Sequence, residues 1–179
     1  SANQLYIERA HNFIINREKQ LSRLYLDIMI RQMNFCDEKI VEIRDIFYDE
    51  YSKLLSTKLE KNQDVRSHPE FRTYKMFIIL MLEQCVKEQT FKRSVRQNHL
   101  TEMTMENWQT FVEQKVSITL KSMKNSYDND FPDNTLVSRK EVDESNERVF
   151  EKIRPLIVSM YLKAREISAE TKVKITLIK

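Results

Sequence analysis

Three histidines, two cysteines and no glycine bound the chemistry open to this chain of 179 residues. His99 is the most telling of these residues. It closes the basic segment Phe91-Lys92-Arg93-Ser94-Val95-Arg96-Gln97-Asn98, and a polar corner separates it from Thr104, Met105 and Trp108. An imidazole in that place serves as a metal ligand, as a proton-transfer group, or as a cation that settles the C-terminus of a helix. His68 lies thirty-one residues earlier, between Ser67 and Pro69, while His11 sits between Glu8 and Asn12 as an exposed side chain would. Cys36 and Cys85 lack metal-ligand spacing and are too few for a secreted disulfide framework, so both are expected as reduced thiols. No Ser/His/Asp or Cys/His pairing is visible, and a chain without glycine cannot write a Walker loop or a dinucleotide fingerprint. These residues make no case for an enzyme.

The elements that must position these side chains read as helices throughout. Long stretches of helical periodicity are separated by short polar breaks, which predicts an all-α protein of about eight helices. A first helix is expected from Gln4 to Ile15 and a second from Lys19 to Gln32. Asp37 is read as the cap of a third that carries Ile40, Ile43, Phe47, Tyr51 and Leu54 inward. Ser67-His68-Pro69-Glu70 has the form of a capping box with proline in the first turn, opening a helix to about Glu88. Thr90 to His99 reads as a short helix. Thr104 caps the next, with Met103 and Trp108 as a hydrophobic staple. Ser138-Arg139-Lys140-Glu141 opens the last, which Pro155 is expected to kink. The apolar run from Met76 to Leu82 is bounded by Lys75 and Glu83 and reads as a buried helix segment, too short to span a membrane. The alternating end, Lys172 to Lys179, reads as a tail or linker from residue 168 on.

A short helix ending in His99, a tight corner, and a second helix with an aromatic nine residues on resembles the proximal side of a globin haem pocket. The spacing is most similar to the haem domains of globin-coupled sensors, which also carry an extra N-terminal helix. Ile46-Phe47-Tyr48 resembles their B helix, and Pro69-Glu70-Phe71-Arg72-Thr73-Tyr74 the start of a globin E helix. The resemblance implies a globin-like haem domain over residues 1–167 that holds haem b (iron protoporphyrin IX) with His99 as proximal iron ligand. His68 is then either a second axial ligand, or the sixth position stays open near Tyr48 and Tyr74. The apolar walls implied are Phe71, Phe77, Ile78, Met81, Phe91, Val95, Met103, Trp108 and Phe111.

On that resemblance the protein binds a diatomic gas (O2, NO or CO) or transfers electrons, and reports the state of its iron to an output partner or a homodimer. The alternative is a haem-free, all-helical domain that acts in protein–protein interaction. Thirty basic and twenty-seven acidic residues, evenly mixed, give a net charge of +3, which is a solvated surface and no nucleic-acid footprint. With no signal-peptide pattern and no apolar span, a cytoplasmic domain is expected. The first helix, with Leu5, Ile7, Phe13 and Ile14 among polar residues, either caps the domain's own core or packs on a second subunit or an output element.

Overall fold

The computed structural model describes residues 1–92, 104–133 and 136–178. Four α-helices make up most of them. Helix α1 (Ala2–Ser56) is followed by a 3-10 turn (Val65–Ser67) and by α2 (Pro69–Leu82), which passes into π-helical turns over Glu83–Lys92. Helices α3 (Met105–Asp130) and α4 (Arg139–Ile178) complete the order. The all-α expectation holds. The globin-like arrangement of about eight helices does not, because the three helices expected before residue 56 are one rod of 55 residues.

The cause is local. No proline precedes Pro69 and the chain has no glycine, so nothing between Ala2 and Ser56 removes an amide donor or favours a left-handed turn. Asn16-Arg17-Glu18 and Asn34-Phe35-Cys36-Asp37 are compatible with a continuing ladder, and Asp37 pairs with Lys87 at 3.0 Å in place of capping a helix. Elsewhere the caps form close to where the sequence puts them. Thr104 accepts from the Asn107 amide at 3.2 Å. Ser138 and Glu141 bond reciprocally, the Ser138 hydroxyl accepting from the Glu141 amide and the Glu141 carboxylate from the Ser138 amide. The cap of α2 shifts by one residue: Ser67 ends the 3-10 turn, and His68 caps with Pro69 in the first turn. Helix α4 runs through Pro155 and on to Ile178, so residues 168–178 are helical.

Helices α1 and α4 form an antiparallel pair. Lys58 bonds Glu141, Glu50 bonds Lys152, Gln32 donates to the Ala164 carbonyl and to Ser168, and Arg31 pairs with Glu170. Between them, α2 and α3 close one core. It is built from Ile43, Phe47, Tyr51 and Leu55 of α1, Phe71, Tyr74, Ile78 and Met81 of α2, and Trp108, Val112, Val116 and Met123 of α3. Ile153, Ile157, Met160 and Tyr161 of α4 complete it. The apolar run on α2 is only partly interior: Ile78, Met81 and Leu82 are buried, whereas Met76, Ile79 and Leu80 are exposed on the far face. A helix shows one stripe to one core, and seven consecutive apolar residues cover every direction around it.

At the centre of the α1–α2 contact, the rings of Tyr51 and Tyr74 stack at 3.8 Å with 7° between planes, and the Tyr74 hydroxyl donates to the Phe47 carbonyl at 3.3 Å. Tyr74→Ala removes that ring and leaves a cavity, so urea melts are expected to show a loss of about 3–5 kcal/mol. Ile118→Ala, on an exposed position of α3, is expected to stay within about 0.5 kcal/mol.

Glu50 is buried beside Lys152 and Arg148, and the hydrogen bond from Lys152 holds its carboxyl below the usual range despite burial. The bonded carboxylate stabilises the fold at neutral pH, and that contribution is lost as the pH falls from about 4.5 through the lower folded value. Glu50→Gln is expected to lower stability at pH 7 by about 1.5–3 kcal/mol, the worth of a charge-assisted bond. Melts of both proteins from pH 7 to pH 3 should converge at the acid end.

Candidate interaction surface

The side chains expected to line a haem pocket are brought into the core, where they contact one another. Tyr48, Phe71 and Tyr74 meet edge-on or tilted at 6.0 to 6.5 Å, with Tyr51 stacked on Tyr74. Phe77 meets Tyr127 at 5.2 Å and Phe131 at 5.4 Å. Ile78 and Met81 are buried on α2. Trp108 stacks on Phe111 at 5.6 Å under the Arg165 guanidinium, and Phe111 meets Tyr161. Among the described residues these rings take one another as neighbours. His99, Val95 and Met103 lie outside the described residues, as does the side chain of Phe91.

His68 has a structural task. Its Nδ1 accepts the Glu70 amide at 3.2 Å and so caps α2. Among the described residues no group of three or more His, Cys, Asp or Glu side chains could hold a metal ion. Cys36 is buried on α1, and burial, with Asp37 adjacent, pushes its thiol up to about 12, so it stays protonated and unreactive at neutral pH. A cleft of about 360 Å³ between α3 and α4 is lined by Lys124, Tyr127, Asp128, Asp143, Asn146, Glu147 and Phe150. Both of its aspartates are ion-paired with Arg139.

The surface that departs most from a closed globular domain is the start of α1. Every residue from Ser1 to Ile14 is exposed. Tyr6, Ile7, Ala10, Phe13 and Ile14 share one face at i, i+3, i+4 and i+7 spacing, with Ile7 at 65 % and Phe13 at 67 % exposure. The stripe continues down the helix as a seven-residue repeat: Ile7, Ile14, Leu21, Ile28 and Phe35 take one seam position, and Ala10, Arg17, Leu24 and Arg31 the other. Leu21, Leu24 and Ile28 are half-buried, and Gln32 is buried against α4.

The pairing of α1 with α4 explains this gradient. Gln32 meets Ala164 and Arg31 meets Glu170, so the same antiparallel register brings Ile178 level with about Ser22. Ile15 and Arg17, N-terminal to that level, are still half-buried, and the residues before them form an exposed arm. Glu8 and Arg9 are the charged side chains of its first fourteen residues, and they cancel. Leu5, Ile7, Phe13 and Ile14, which the sequence allowed as a cap on the domain's own core, are on this arm and clear of it. Sequence reasoning missed the continuous seam because it ended a helix at Ile15. The repeat of Ile7, Ile14, Leu21 and Ile28 across that point was the signal that would have joined the pieces.

An arm held only by its own ladder opens easily, since an isolated helix of this length is marginal in water. Hydrogen exchange at sub-micromolar protein is expected to be fast for amides of residues 5–14 and slower by about 10³-fold or more for residues 40–55, a gap of a few kcal/mol in opening free energy. Equal protection in both segments refutes a free arm. No protein-family model, curated protein or solved structure matches this chain.

Proposed function

We propose that this protein is a haem-free, all-helical interaction domain whose working surface is the apolar seam on the arm of α1. The observation that carries the reading is the contrast between a core closed by interlocked rings and an arm with Tyr6, Ile7, Phe13 and Ile14 in solvent. Contiguous exposed apolar side chains on one helix face mark a docking surface, whereas single ones are ordinary. Helix-in-groove and coiled-coil partners read such a face through its i, i+3, i+4 and i+7 anchors. The seven-residue repeat supports a helix as the partner element. Among the described residues no helix is long and apolar enough to cross a membrane.

Site-specific photo-crosslinking tests the reading. Benzoylphenylalanine at Phe13 is expected to give discrete, higher-mass adducts in the cells that make the protein. The same group at exposed Lys140, on the body, is expected to give none. Absence of adducts at position 13 removes the reading. A hemin titration addresses the haem alternative: a stoichiometric Soret band that His99→Ala abolishes would restore it.

A further inference from the structure

We draw no further inference here: the strongest candidate, the exposed apolar face at the start of α1, is the surface already proposed for docking, and nothing in the structure shows what covers it.

Discussion

The antiparallel pairing of α1 with α4 is the constraint on which the rest of the molecule depends. Two buried polar side chains fix its register. Gln32 donates to the Ala164 carbonyl at 3.0 Å and to Ser168 at 2.9 Å, and Glu50 is held by Lys152. Sliding the helices by one turn leaves both groups without partners in the interior, at a cost of about 1–3 kcal/mol for each neutral group and more for a charge. Apolar contacts alone tolerate such slips, because one Ile in a seam resembles the next. The body forms where α2 and α3 pack over this pair, and residues 1–14 of α1 lie exposed outside it.

The same closure removes chemistry from groups that could have carried it. Tyr74 lies in the stack with Tyr51, burial pushes its phenol well up, and the hydroxyl is committed to the Phe47 carbonyl. The Cys36 thiol is pushed up by burial. His68 gives its acceptor nitrogen to the first turn of α2. Each is a reactive residue type with a structural role, which is the usual fate of such residues inside a small helical core. Arg165 over the Trp108 ring at 5.0 Å is of the same kind: its guanidinium also reaches the Met105 sulfur, tying the start of α3 to α4.

How far the sequence could be read depended on whether a signal was decisive or permissive. Thr104 and Ser138 at the heads of apolar stripes are decisive, since a hydroxyl there satisfies amides that the ladder leaves open, and both caps formed. Stripes at 3.6-residue period placed Ile43, Phe47 and Tyr51, and likewise Ile153, Ile157 and Tyr161, in the core. Asn16 and Asp37 are permissive. Each caps a helix or rides inside one; packing against α4 carries the helix past Asp37, and at Asn16 the ladder simply continues. Splitting α1 there made eight helices out of a few long ones and supplied the globin-like order that the fold overturns. It also hid the arm, because a seam cut at Ile15 is too short to register as a repeat.

A projecting arm of this kind is suited to association by the statistics of helix formation. Nucleation is the unfavourable step, and propagation of a formed helix is close to neutral for each residue added. The arm of α1 is nucleated already, because its ladder continues from residues locked between α4 and the core. Folding a separate peptide of the same sequence onto a partner would require the nucleus to form at the moment of binding, with the full ordering cost that accompanies it. Here the nucleation part of that cost is met when the body folds. Ile7, Phe13 and Ile14 stay exposed yet remain on one face, and the free energy of burying them is available for binding rather than for ordering the chain.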